Sequence, residues 1–232
     1  NVQWRTSDGA ATWFKLRVML ELQDLDYAPA TAPGLVLSGI GLKAEPGKPV
    51  LVAGASGSGK TSLLEVIAGL SRQQRGTVRW NGQALNQRQR RWLSGMVFQF
   101  PERHFLGVTV AQELRLGHRR LSTEEQQTVL QRVGLSTIRT SDSPESLSGG
   151  QQRRLALAVQ LLRGAELLLL DEPTAGLDWS VREDVLALLS DLSRERVLIV
   201  VTHEPQLFAG WDCRRHQLIN GRLKSLSTLP GT

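Results

Sequence analysis

Apolar residues fall along this chain in two alternating patterns. Continuous runs, Val50-Leu51-Val52-Ala53, Leu167-Leu168-Leu169-Leu170 and Val197-Leu198-Ile199-Val200-Val201, have the length of strands buried on both faces of a parallel sheet. Between them, apolar residues recur at helical spacing: Leu63, Leu64, Val66, Ile67 and Leu70; Leu155, Ala158, Val159 and Leu162; Val181, Val185, Leu188 and Leu189. Strands alternating with helices predict an α/β domain with a mostly parallel core sheet.

The first third reads differently. Leu20–Leu25 and Leu35–Ala44 alternate as strands do, and Gly76–Trp80 runs into Asn81-Gly82, a strong hairpin-turn signal. An antiparallel β subdomain is expected there. Gly95–Gln99 reads as a short strand broken by Pro101. Residues 109–146 read as helical: Val110, Leu114 and Leu116 are near helical spacing, and Ser122 with Glu125 forms a capping box before Val129, Leu130 and Val133, with Gly134 as the stop. An inserted helical subdomain at about 102–163 follows. A last strand around Leu218-Ile219 ends at the Asn220-Gly221 turn.

The domain is expected over residues 19–232. Residues 1–18 lack a clear period, and Met19 opens the first convincing strand. The first 18 residues read as an extension, either foreign to the natural chain or a trimmed targeting peptide, without the apolar stretch of a secretory signal.

Apolar residues make up 41% and charged residues 22%, as in a globular protein. No apolar run approaches the roughly 20 residues of a membrane span. Cys213 is the only cysteine, which fits a reducing compartment and reads as a small residue in a late strand. The net charge of +6 comes from 23 arginines and 5 lysines. These are dispersed, and the densest group, Arg88, Arg90 and Arg91, is short; no nucleic-acid partner is expected.

Gly54-Ala55-Ser56-Gly57-Ser58-Gly59-Lys60-Thr61 fits G-x-x-x-x-G-K-[ST] between a strand and a helix, the context a phosphate-binding loop needs. Its glycines let backbone N–H groups curl around a polyphosphate at a helix N-terminus. Lys60 supplies charge to the β- and γ-phosphates and Thr61 a hydroxyl to Mg²⁺. Asp171 and Glu172 end a buried strand, and ligand sites in open α/β sheets lie at such carboxyl ends. The first suits Mg²⁺, the second proton acceptance from an attacking water. Thr202-His203 ends the next buried strand at the same edge, so a γ-phosphate contact by His203 is favoured over a structural role. Leu147-Ser148-Gly149-Gly150-Gln151 precedes a helix and offers a second anion-binding end. Asp178 is placed to cap the next helix. Tyr27, closing the first strand, reads either as a packing residue or as a ring that stacks on adenine.

Together these motifs resemble the ATP-binding cassette (ABC) ATPases, a P-loop NTPase family, over nearly everything from Met19 on. Gly54 to Thr61 matches Walker A, Gln99 the Q-loop, Leu147 to Gln151 an unaltered LSGGQ signature, Leu167 to Glu172 Walker B, and His203 the switch histidine. Ala175-Gly176-Leu177-Asp178 resembles the D-loop, with Ala175 where serine is more usual. Tyr27 lies at the spacing of the adenine-stacking aromatic.

The resemblance implies ATP and Mg²⁺ as cofactors. The nucleotide would be bound by Tyr27, by 54–61 with Ser62, and in trans by Ser148, Gly149, Gly150 and Gln151 of a second cassette. Mg²⁺ would be held by Thr61, Gln99 and Asp171, and Glu172, His203, Gln99 and Lys60 would serve catalysis. It also implies a homo- or heterodimer working with a separate transmembrane subunit, at the cytoplasmic face of the cell membrane, or the stromal face in a plastid. Gln99-Phe100-Pro101-Glu102, with Thr109, Val110 and Glu113, resembles the ATPases of energy-coupling-factor importers. Phe100 to Val108 would then be the coupling surface, with Phe100, Phe105 and Leu106 inserting into the partner or packing within the subdomain. The alternative is a soluble cassette ATPase of the iron–sulfur assembly type. Thr61 and Leu147 are only 86 positions apart, too few for the coiled-coil insertion of repair ATPases. A nucleotide sensor without hydrolysis is disfavoured by Glu172 and His203.

Overall fold

A computed structural model describes residues 19–226 of the protein. The antiparallel subdomain forms a four-stranded sheet from β1 (Leu20–Tyr27), β2 (Leu37–Ala44), β4 (Arg75–Trp80) and β5 (Gln83–Ala84), in the order β2-β1-β4-β5. Asn81 and Gly82 make its expected turn with positive φ angles of 51° and 79°.

The second sheet has six strands in the order β10-β9-β3-β8-β7-β6. Here β3 is Val50–Ala53, β6 is Ser94–Val97, β7 is Leu167–Asp171, β8 is Val197–Thr202, β9 is Arg214–Ile219 and β10 is Arg222–Leu226. All its pairings are parallel except the β9–β10 hairpin. Cys213 lies just ahead of β9 and is buried as a free thiol.

The continuous apolar runs become the middle of this sheet because successive side chains point to opposite faces and both faces are covered. Val50, Val52, Leu167, Leu169, Val197, Ile199 and Val201 join one core with α1 (Lys60–Ala68) and the antiparallel sheet. Leu51, Leu168, Leu170, Leu198 and Val200 join the other, with α5 (Gly149–Leu162) and α6 (Trp179–Ser193). Val110, Leu114, Val129 and Leu130 extend this second core into α3 (Val110–Arg115) and α4 (Thr123–Arg132). The Ser122–Glu125 capping box starts α4 as its sequence predicts.

Two local expectations are corrected. The arginine group at 88–91 lies on a helix that the sequence reading passed over, α2 (Gln87–Leu93), opened by an Asn86–Gln89 capping box. Within that group Arg90 is fully buried and donates to the Val66 carbonyl and to Gln73. Asp178 holds the N-cap position of α6, but its side chain makes no capping hydrogen bond.

Candidate functional site

The register of the parallel sheet gathers the chemistry at one edge. Ala53 of β3 stands beside Thr202 of β8, and Asp171 of β7 beside Val201, so three strands release their chains at the same level. The loop after β3 is anchored at its start, where Gly54 N–H donates to the Thr202 carbonyl. A Cβ on Gly54 would sit 2.6 Å from Ser58 Oγ, so only glycine leaves the loop this tightly wound. Gly57 and Gly59 turn the chain through φ of 77° and 98°, backbone that L side chains rarely adopt, and α1 starts at Lys60. Ser58 Oγ is buried without a protein partner.

Lys60 is 7% exposed and its ammonium donates back to the carbonyls of Gly54 (2.8 Å) and Ala55 (3.0 Å). The same ammonium lies 3.5 Å from Glu172 Oε1. Thr61 donates its hydroxyl to Asp171 Oδ2 at 2.7 Å, tying the start of α1 to the end of β7. Burial pushes the Asp171 carboxyl above its ordinary pKa, an effect the Thr61 bond partly offsets.

Glu172 follows at φ 47°, a left-handed conformation unusual for a glutamate and one that costs about 1–3 kcal/mol. That twist turns its carboxylate along the sheet edge: Oε2 accepts from His203 N–H at 3.1 Å and lies 2.9 Å from His203 Nδ1. Glu172 is buried while the His203 ring is half exposed, so the pair spans from the phosphate loop to solvent.

The residues suit a magnesium nucleotide. A wound glycine loop, a buried unpartnered serine hydroxyl and a lysine form an anion cradle. A hydroxyl and a carboxylate already in contact form a hard oxygen pair, the donor type Mg²⁺ takes. Among the described residues no group of three or more His, Cys, Asp or Glu could hold a metal ion.

Other expected site residues are placed elsewhere. Gln99 lies in the loop after β6, and its carbonyl accepts from Arg153. Ser148 caps α5 in a reciprocal box with Gln151, whose side-chain oxygen accepts from Ser148 N–H at 2.9 Å. Gly150 is pressed against Val181 of α6, where a Cβ would stand 2.1 Å from its methyl group. Among the described residues no hydrogen bond or ion pair joins this signature to the phosphate loop. Tyr27 is 8% exposed in the core that also holds Leu25 and Leu37, and its hydroxyl donates to Ser71. Nothing in the sequence singles out Arg153, one of two adjacent arginines early in α5.

The family model described as "ABC transporter" matches residues 37–175. ABC transporter I family member 11, chloroplastic, of Arabidopsis thaliana is 40% identical over 201 residues, 80% of this chain and 72% of that protein. Energy-coupling factor transporter ATP-binding protein EcfA2 of Methanospirillum hungatei is 33% identical over 90% of this chain; the chain spans only 55% of it. Among solved structures, cbiO1 of Clostridium perfringens, described as part of the ABC transporter complex cbiONQ, superposes with a TM-score of 0.79 at 25% identity, covering 90% of this chain and 87% of that one.

Proposed function

The chain belongs to the ABC transporter family as an ATP-binding, ATP-hydrolysing subunit, and on that premise we propose that it powers an importer of the energy-coupling-factor type through a membrane-spanning partner. The catalytic part of this reading rests on one observation: Lys60 and His203 converge on the Glu172 carboxylate, beside the Thr61–Asp171 pair.

ATP binds with its phosphates in the loop at 54–61, where Lys60 exchanges carbonyl partners for phosphate oxygens. Thr61 and Asp171, with Gln99 brought in from its loop, would hold Mg²⁺, which when bound would neutralise phosphate charge. Glu172 orients the attacking water and accepts its proton, and His203 steadies charge on the γ-phosphate. Ser148, Gly149 and Gly150 cap the nucleotide of a second cassette; Ser148 and Gly149 are exposed on their own subunit, as that role requires. A two-fold pair then holds two nucleotides, and hydrolysis releases it.

The importer reading is supported by the likeness to EcfA2 and cbiO1. The partner's contact surface is proposed around Phe100, Leu106 and Val108, which expose large apolar side chains. They adjoin a cavity of about 280 Å³ lined by Phe98, His104, Phe105 and Val159. Phe105 itself packs against the core, while Phe100 lies under the Arg103 guanidinium.

The test is a pull-down of tagged Glu172→Gln protein from native membranes with ATP. Recovery of a polytopic membrane protein in near-equal amount supports the transporter reading. Recovery of soluble partners alone overturns it.

A further inference from the structure

One guanidinium joins three segments that the sequence keeps apart. Arg153 stands in the first turns of α5, five residues beyond Ser148, and is 5% exposed. Its Nη2 donates to two carbonyls at once: Gln99 at 2.9 Å and Ala175 at 2.7 Å. Gln99 lies in the loop after β6, and Ala175 in the turn after β7. Ala175 N–H in turn donates to the Glu172 carbonyl at 3.1 Å, closing the turn whose first residue is the left-handed Glu172. The charge is therefore linked through Ala175 to the backbone of Glu172, the residue whose carboxylate meets Lys60 and His203.

Burying this cation is costly, and burial lowers its pKa; Glu102 lies near enough to oppose that shift. Two of its donors, Nε and Nη1, have no protein acceptor. A residue chosen only to pack α5 would be apolar, as Leu155, Leu157 and Ala158 are. The adjacent Arg154 faces away from the site, toward the Gly134 carbonyl and Asp184, so the placement belongs to position 153 rather than to a basic stretch.

We infer that Arg153 is a positioning residue: it fixes the Gln99 loop against the Glu172 turn and couples both to the signature helix. Its kinetic consequence rests on the proposed role of Glu172 as the base. Because Arg153 touches neither the phosphate loop nor Lys60, it acts on turnover and leaves binding of the nucleotide without Mg²⁺ alone.

The test uses Arg153→Met, which keeps the length without the donors, and Arg153→Lys, whose ammonium can still reach a carbonyl. Affinity for a non-hydrolysable ATP analogue, measured without Mg²⁺, is expected to change by less than about twofold in both. kcat should fall about tenfold or more in Arg153→Met and recover in part in Arg153→Lys. A wild-type kcat in Arg153→Met, or a loss confined to affinity, overturns the inference. A second readout needs no turnover: spin labels at the exposed Arg103 and Asp178, in a Cys213→Ala background, report the separation of the two loops. The distance distribution should broaden in both variants, less in Arg153→Lys; an unchanged distribution overturns the inference. Broadening found alongside a Glu172→Gln protein of wild-type ATPase rate would keep the coupling and remove the catalytic reading.

Discussion

His203 meets Glu172 twice, through its backbone N–H at 3.1 Å and its ring Nδ1 at 2.9 Å, both on the same carboxylate oxygen. The other oxygen is left to face the Lys60 ammonium. A carboxylate held at one oxygen by the residue that follows β8 and facing Lys60 with the other is fixed in orientation by the protein alone.

Glu172→Gln keeps the shape of that contact and removes the proton acceptor. Turnover should fall about 10²–10⁴-fold while ATP binding persists, and the protein should accumulate as an ATP-bound dimer. Steady-state ATPase rates and gel filtration with ATP check this; an unchanged rate would remove Glu172 from catalysis.

Lys60→Ala removes a charged donor from the cradle. Hydrogen bonds to charged groups are worth about 1.5–3 kcal/mol, so nucleotide affinity should drop by about one to two orders of magnitude. Calorimetric titration with an ATP analogue measures this, and equal affinity would refute the assignment of the loop.

Gly76 tests the antiparallel subdomain apart from the site. It has φ 84°, and a Cβ there would stand 2.4 Å from the carbonyl oxygens of both Gln23 and Asp24 on the neighbouring strand. Backbone on both sides cannot yield cheaply, so Gly76→Ala should destabilise by about 1–3 kcal/mol. Chemical denaturation reads the loss, and wild-type stability would contradict the register of β1 and β4.

His216 on β9 predicts a pH dependence. Burial, and secondarily the Arg214 charge, hold its pKa below the ordinary value of 6.5. The folded state thus binds fewer protons than the unfolded one. Its contribution to stability is complete above the ordinary value and is lost as pH falls through the lowered one. Melting temperature should therefore fall more steeply between pH 7 and pH 5 in the wild type than in His216→Gln. Parallel curves would show that His216 does not titrate on unfolding.

The sequence alone determined the strands and helices that carry strong periodicity, because continuous apolar runs such as Leu167–Leu170 have no stable place except between two covered faces. It also marked a glycine-rich loop between a strand and a helix, and Gly57 and Gly59 take positive φ there just ahead of Lys60. These are local constraints, written within a few residues of one another.

Tertiary structure decided what depends on residues far apart in the chain. The reach from Thr61 to Asp171 spans 110 positions and exists only because β3 and β7 flank β8 in the sheet. Arg90 reads as one charge in a basic cluster until α2 packs it against the carbonyl of Val66. Tyr27 closes the first strand in the sequence, and only the fold sets it in one core with Leu25 and Leu37. Asp178 has the right position for a cap, yet its side chain makes none, because position along the chain does not fix a rotamer. Arg153 shows the limit most clearly: its partners are backbone carbonyls, which every residue has, so no residue type at 99 or 175 could announce them.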